Sequence, residues 1–299
     1  MTYRECYDAA VLQLEAAGVP EAKLDARLLL EHVCCTDYNT LLVHGERPVT
    51  AQEEAAVEQL LEKRKKRIPL QQITGQQEFC GLTFKVNEHV LIPRQDTEIL
   101  VEAALKKSRP GMHLLDMCTG SGCILISLLS MGKDLTGVGV DISKEALAVA
   151  RENAEKILAK EKQPEFLQGD LFGAFGAYQC KGEPQQCVAE TQKQSQFDIV
   201  VSNPPYIESA VIETLMPEVK EYEPRTALDG SEDGLLFYRR IVAECMPYLK
   251  ENGYLLFEIG CNQAEAVSSL MAADFTDIEV IKDYAGLERV VLGRRCASE

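Results

Sequence analysis

The sequence predicts an α/β protein: a seven-stranded, mostly parallel, doubly wound sheet, preceded by a small all-α domain and joined to it by a β-hairpin. Three observations predict it. From His113 onward, short apolar strand-like runs alternate with stretches of helical period, the pattern of stacked βαβ units. Before Arg67, Leu, Ala and Val recur at three- and four-residue intervals, as on an amphipathic helix. Between these regions, from Pro69 to Val90, Gly75 and Gly81 bracket β-prone pieces in "PLQQITGQQEFCGLTFKVNEHV", as in a hairpin.

The N-terminal helices are expected at Tyr3 to Ala17, Glu21 to Cys35 and Ala51 to Lys66, parted by Gly18-Val-Pro20 and by a polar link, Thr36 to Asn39. A further helix is expected from Asp96 to Lys107. The alternation then runs strand His113 to Met117, helix Cys123 to Ser130, strand Leu135 to Val140, helix Lys144 to Lys160, and strands Glu165 to Leu167 and Phe197 to Val201. It closes with a helix near Leu235 to Leu249, strand Tyr254 to Glu258, helix Ala264 to Ala273, and strands Asp277 to Lys282 and Arg289 to Leu292. The polar, Gln-rich stretch Gly173 to Gln196 reads as a disordered loop, with a functional lid as the alternative. These readings divide the chain into residues 1–73 and 74–299, with 74–92 as the connecting hairpin.

Composition narrows the partners. With 46% hydrophobic and 26% charged residues the chain can bury an ordinary globular core. No apolar run reaches the roughly 20 residues of a membrane span, and the N-terminus has no signal-peptide core, so a cytoplasmic protein without a membrane partner is expected. Eleven cysteines and four histidines are scattered without metal-ligand spacing, so no metal is expected and the thiols read as small core hydrophobes. A net charge of −16 argues against a nucleic-acid partner. The basic run from Lys63 to Arg67 reads as a solvated helix end complementing the helix dipole, in preference to an RNA-facing patch.

Ligands of open α/β sheets bind at the carboxyl ends of the strands, where strand order reverses. The first strand ends in "DMCTGSG", Asp116 to Gly122. Gly120 and Gly122 let backbone approach a ligand closely, and the helix that follows favours a carboxylate at its N-terminus; a tight turn with no ligand is the alternative. Leu125 stands where a dinucleotide fingerprint has its third glycine, which disfavours pyrophosphate. Asp141 ends the second strand and can accept both hydroxyls of a ribose, or instead cap the helix beginning at Ser143. Together the glycine loop and Asp141 favour an adenosine-containing ligand. Asp170 and Leu171, after the third strand, can take an adenine amino group and cover its ring, or simply start a helix.

The fourth strand ends in "SNPPY", Ser202 to Tyr206. Proline lacks an N–H and forces the residue before it into extended geometry, so this turn is stiff and offers acceptors without donors. The Asn203 side-chain carbonyl and the Pro204 backbone carbonyl can take the two N–H groups of a planar amide or amino group, with Tyr206 stacked on its π-face.

In this order, "LLDMCTGSG", "GVGVDIS", "QGDLF" and "VSNPPYI" resemble the Rossmann-like class I S-adenosylmethionine-dependent methyltransferases of amino or amide nitrogens. With "PLQQITGQQEFCGLTFKVNEHVLIPRQDTEILVE" before the sheet and "EVKEYEPRTALDGSEDGL" after the prolines, the chain resembles the HemK/PrmC family over essentially its whole length. The resemblance implies methyl transfer from S-adenosyl-L-methionine, leaving S-adenosyl-L-homocysteine, to the side-chain N5 of the Gly-Gly-Gln glutamine in peptide chain release factors. It implies that Cys118, Thr119, Gly120, Ser121 and Gly122 hold the methionine end, Asp141 the ribose, and Asp170 and Leu171 the adenine edge. Asn203, Pro204, Pro205 and Tyr206 then bind and orient the glutamine, with Asn203 also near the cofactor. "IPRQDTE", Ile92 to Glu98, lines the cofactor cleft, or else starts a helix with Asp96 and Glu98 in its first turn.

The Gly173–Gln196 stretch departs from the family, whose connection is shorter. The N-terminal helices dock the substrate protein or act as a structural cap. No dedicated general base is evident, and a monomer in transient complex suits the task. The rivals are a glutamine methyltransferase of a large-subunit ribosomal protein, a DNA adenine N6-methyltransferase, which shares Asn-Pro-Pro-Tyr, and a nucleotide-binding regulatory module in which that turn is merely stiff.

Overall fold

A computed structural model describes residues 1–178 and 196–297. In chain order, helices α1 (Tyr3–Ala16), α2 (Ala22–Cys34), α3 (Tyr38–Val43), α4 (Ala51–Lys65) and α5 (Leu70–Thr74) precede a hairpin of β1 (Gln76–Phe79) and β2 (Leu82–Lys85). Then come α6 (Glu98–Lys107), β3 (His113–Met117), α7 (Cys123–Met131), β4 (Thr136–Asp141), α8 (Lys144–Ile157), β5 (Glu165–Gln168), α9 (Gly173–Tyr178) and β6 (Phe197–Ser202). The chain closes through α10 (Ser209–Ile212), α11 (Pro217–Tyr222), α12 (Leu236–Glu244), β7 (Leu249–Glu258), α13 (Ala264–Met271), β8 (Phe275–Lys282) and β9 (Glu288–Arg295). Among the described residues no helix is long and apolar enough to cross a membrane.

Two compact units result. One comprises Met1–Gln76 together with Met216–Tyr222; the other begins at Gln77 and takes in the rest. In the first, α1 and α4 open with the same device, a Thr-x-x-Glu capping box made by Thr2 with Glu5 and by Thr50 with Glu53. Leu14, Leu29, Leu30, Val57 and Leu61 form its core. The basic run differs from its expected form. Arg64 is buried, its Nε 2.6 Å from Asp25 and an Nη 2.9 Å from Glu218, and Arg67 also pairs with Glu218 at 2.6 Å. Two of the five cations in the run are therefore spent internally on carboxylates, because a buried guanidinium needs fixed counter-charge.

In the second unit the predicted doubly wound sheet is present, in the order β5-β4-β3-β6-β7-β9-β8, parallel except for β9 against both its neighbours. Strand residues alternate between two cores, as a two-residue period requires. Leu114, Ile199, Val201 and Leu256 pack with α6 and α7, whereas Leu115, Val200, Leu255 and Phe257 pack with α12 and α13. Helix α7 is apolar all round and correspondingly buried along nearly its whole length.

Several boundaries differ from expectation for local reasons. The stretch read as hairpin from Pro69 contains α5, which stops at Gly75 in the left-handed conformation, so the strands begin only at Gln76. The helix expected to reach Leu249 ends at Glu244, ahead of Pro247, and Leu249 already pairs with Phe197 as the start of β7. The link Thr36 to Asn39 runs into a short helix capped by Asp37. In the stretch expected to be disordered, Gly173–Tyr178 is helical, and Phe175 is buried in a core; residues 179–195 lie outside the described residues.

Candidate active site

Strand register gathers the singled-out residues. Met117 lies opposite both Val140 and Ser202, and Asp141 opposite Gln168, so Cys118, Asp141, Gly169 and Asn203 leave the sheet side by side at its carboxyl edge. Connections run in opposite directions from β3 and β6, which opens a crevice between the two loops. A cavity of about 430 Å³ occupies it, within the size range of small-ligand sites. Cys118, Thr119, Gly120, Ser121, Asp141, Asp170, Leu171, Asn203 and Pro205 all line it; Gly122, Pro204 and Tyr206 are not among its lining residues but adjoin ones that are.

The glycine loop is held open by backbone geometry. Gly122 has φ +80°, and a Cβ there would meet Ile126 Cδ1 at 2.8 Å. Cys118 and Leu171, both on the cavity wall, also adopt positive φ, an uncommon conformation for side chains of their size that concentrates at ligand sites. Asp141 Oδ2 accepts the Gly120 N–H at 2.8 Å and Oδ1 the Ser143 N–H at 2.9 Å. It is not the cap of α8, because the Ser143 hydroxyl accepts the Ala146 N–H. A carboxylate can take about four hydrogen bonds, so acceptor capacity remains toward the cavity. Burial raises the Asp141 pKa, and the backbone N–H groups of Ser143, Gly120 and Ile142 partly counter it. Asp170 is fixed at the rim by a two-pronged ion pair with Arg240, 2.9 and 3.1 Å.

The opposite wall is built by side chains. Asn203 Nδ2 donates to Thr97 Oγ1 at 3.3 Å, and Oδ1 has no hydrogen-bond partner among the described residues. Tyr206 directs its hydroxyl to Glu258 Oε1 at 3.3 Å, and its carbonyl accepts from Gln263 Nε2 at 3.1 Å. Its backbone passes so close to Gly234, φ +70°, that a Cβ there would lie 2.3 Å from the Tyr206 oxygen. Of "IPRQDTE", Pro93, Arg94 and Thr97 line the cavity, whereas Glu98 turns away to accept the Cys80 N–H at 2.8 Å. Arg94 is tied to the buried Glu223 at 2.7 Å, and the segment after it, including Pro224, Thr226 and Asp229, forms part of the wall.

Sequence reasoning left Glu258, Gln263 and Gly234 without roles. Gly234 stood inside a quoted stretch, but its partner, the Tyr206 carbonyl, appears only on folding. Among the described residues no group of three or more His, Cys, Asp or Glu side chains could hold a metal ion.

Both parts of the chain are similar to known proteins. Residues 5–75 match a PrmC N-terminal domain and residues 108–285 a methyltransferase domain. A release factor glutamine methyltransferase of Geobacter sulfurreducens is 41% identical over 98% of this chain and 96% of its own length, and one of Koribacter versatilis is 37% identical over the whole of both. A solved protein-(glutamine-N5) methyltransferase (release factor-specific) from Alicyclobacillus acidocaldarius is similar at 27% identity, covering 72% of this chain and all of that one, with a TM-score of 0.39. Full-length identity at this level, with both domains matched, means that the chain belongs to the release factor glutamine methyltransferase family.

Proposed function

We propose that the protein methylates the side-chain N5 of the Gly-Gly-Gln glutamine of peptide chain release factors, with S-adenosyl-L-methionine as donor. The observation that carries this reading is the register of β3 against β6, which sets the glycine loop and Asn203 next to each other on one cavity. The residues present fit the donor. Gly120 has φ +54° and open space where a Cβ would be, so main chain can meet a ligand there, and Asp141 keeps acceptor capacity for a diol. Cys118 to Gly122 would hold the methionine end, Asp141 the ribose, and Asp170 with Leu171 the adenine edge. When bound, the donor supplies an electrophilic methyl on a sulfonium and leaves as S-adenosyl-L-homocysteine.

The protein's own contribution is orientation. An amide nitrogen is a poor nucleophile because its lone pair is delocalised into the carbonyl. Asn203 Oδ1 and the Pro204 carbonyl would accept its two N–H groups, aiming the lone pair and stabilising positive charge as it grows on nitrogen. Holding the nucleophile at roughly 3 to 3.5 Å from its target supplies much of the remaining acceleration. Pro205 shapes the wall, and Tyr206, anchored on Glu258, holds the turn from behind. The nitrogen sheds its proton after transfer, since the clamp holds acceptors and no dedicated base. The helical unit would dock the substrate protein, the enzyme working as a monomer in the cytoplasm, where translation ends.

Incubation with labelled S-adenosyl-L-methionine and purified release factor, beside a variant factor with that glutamine replaced, tests the reading by peptide mass analysis. Label on that glutamine of the native factor alone is expected. An unlabelled factor with cofactor still bound to the enzyme would overturn the substrate assignment.

A further inference from the structure

Helix α8 carries a polar side chain that the site described above does not use. Asn153 is 0% exposed, and every hydrogen of its amide is committed. Its Nδ2 donates to the Ser121 carbonyl at 3.0 Å and to the Lys85 carbonyl at 3.0 Å, while its Oδ1 accepts the Lys85 N–H at 2.7 Å. These partners fix the orientation of the amide, since a backbone N–H only donates and a carbonyl only accepts. Burying an amide without partners is costly, and the three bonds remove that cost.

The same bonds tie three segments to one point. Ser121 belongs to the glycine loop and lines the cavity. Lys85 ends β2 and gives Asn153 both its N–H and its carbonyl, as it would give them to a neighbouring strand of a sheet. The chain that leaves Lys85 goes on to form another stretch of the cavity wall, with His89, Val90, Pro93, Arg94 and Thr97. Val86 and Val90 pack on Ala146 and Val149 of α8, so this helix holds the stretch by apolar contact as well as through Asn153. The ion pair of Lys85 with Glu152 is exposed on both sides and adds little.

We infer that Asn153 is a positioning residue for donor binding: through the Ser121 carbonyl it fixes the glycine loop against the wall that begins at Lys85, and so sets the width of the cavity. The inference rests on the reading above, in which this cavity holds S-adenosyl-L-methionine with its methionine end on Cys118 to Gly122. Cys118 in that loop has φ +63°, a conformation that persists only where the surroundings impose it. Without the Asn153 amide the loop has other positions open to it, and only the fraction of molecules in the competent one binds the donor at full strength. Asn153 is not among the residues that line the cavity. Its loss therefore acts on donor affinity and leaves the chemical step to Asn203 and Pro204.

The test compares Asn153→Ala, Asn153→Asp and Met271→Ala with the native enzyme. Calorimetric titration with S-adenosyl-L-methionine gives Kd, release factor methylation at saturating donor gives kcat, and thermal unfolding gives Tm. Asn153→Asp keeps the size and the acceptor for the Lys85 N–H but loses both amide donors. Met271 is buried beside Gly293 of β9 and does not line the cavity, so Met271→Ala measures what lost stability does by itself. Both Asn153 variants are expected to raise Kd roughly 10- to 100-fold, the effect of removing two or three hydrogen bonds from the competent state, with kcat near native. Met271→Ala is expected to lower Tm and leave Kd unchanged. By reciprocity, saturating donor should slow hydrogen exchange of the Lys85 amide in the native enzyme.

Folded Asn153 variants with native Kd would overturn the inference, as would a rise in Kd that Met271→Ala matches at equal loss of Tm. A kcat at saturating donor that falls as far as affinity does would also overturn it, because the fault would then lie in the chemical step. Should neither Asn153 variant fold, the native enzyme decides alone: Lys85 exchange unchanged by saturating donor would overturn it. The two readings fail separately. A native enzyme that binds no S-adenosyl-L-methionine removes the donor reading and this inference with it, whereas native binding beside an unaltered Kd in the folded variants removes only the positioning role.

Discussion

The two walls of the cavity are built on different principles. On the Asp141 side a functional side chain is anchored by backbone: Gly120 N–H and Ser143 N–H, both from turns that immediately follow neighbouring strands. On the Asn203 side the anchors are other side chains brought from far along the chain, Thr97 from 106 residues away and, for Tyr206, Glu258 from 52. Backbone anchoring comes with the local β–turn–α geometry and tolerates much sequence change. Side-chain anchoring is more selective, because each partner must be the right residue in the right protonation state. The first wall suits holding a ligand common to many enzymes, and the second suits aiming one particular nucleophile.

The comparison can be broken at several points. The largest effect is expected for Asn203→Ala, which removes an acceptor from the developing charge: kcat should fall by about 10²- to 10³-fold while calorimetric affinity for S-adenosyl-L-methionine stays near native. Asp141→Ala should do the reverse, weakening cofactor binding by the roughly 1.5–3 kcal/mol of charge-assisted hydrogen bonds, read as an increased Kd. Gly234→Ala sharpens the account of the turn. It forces a Cβ against the Tyr206 carbonyl at positive φ, and a loss of about 1–3 kcal/mol should appear as a lowered Tm. The smallest effect is expected for Arg240→Ala, since the ion pair with Asp170 is substantially exposed: under about 1 kcal/mol of stability and a slight change in cofactor Kd.

The same contrast explains what was legible before the structure. The strand His113 to Met117, the two strands that pair beside it and β5 beyond β4 were readable because short apolar runs bounded by turn residues are local signals. The glycine loop and Asp141 sit within one such unit. The Asn-Pro-Pro-Tyr turn was readable as an object, since proline's constraints need no partner. Its supports were not. Glu258 looks like an ordinary strand-end acid until β7 is seen to pair with β6, and Thr97 looks like a helix-start residue until its hydroxyl meets Asn203. Within the cation run Lys63 to Arg67, Arg64 and Arg67 were misjudged for a related reason: Asp25 and Glu218, which consume them, are distant in sequence.

The division of labour between the two walls is tested most directly by single-turnover methylation of a release factor with native enzyme, Asp141→Ala and Asn203→Ala, as a function of S-adenosyl-L-methionine concentration. The account predicts that Asp141→Ala approaches the native rate once cofactor saturates it, while Asn203→Ala stays slow at every concentration. An Asp141→Ala enzyme that remains slow at saturation, or an Asn203→Ala enzyme that recovers there, would contradict it.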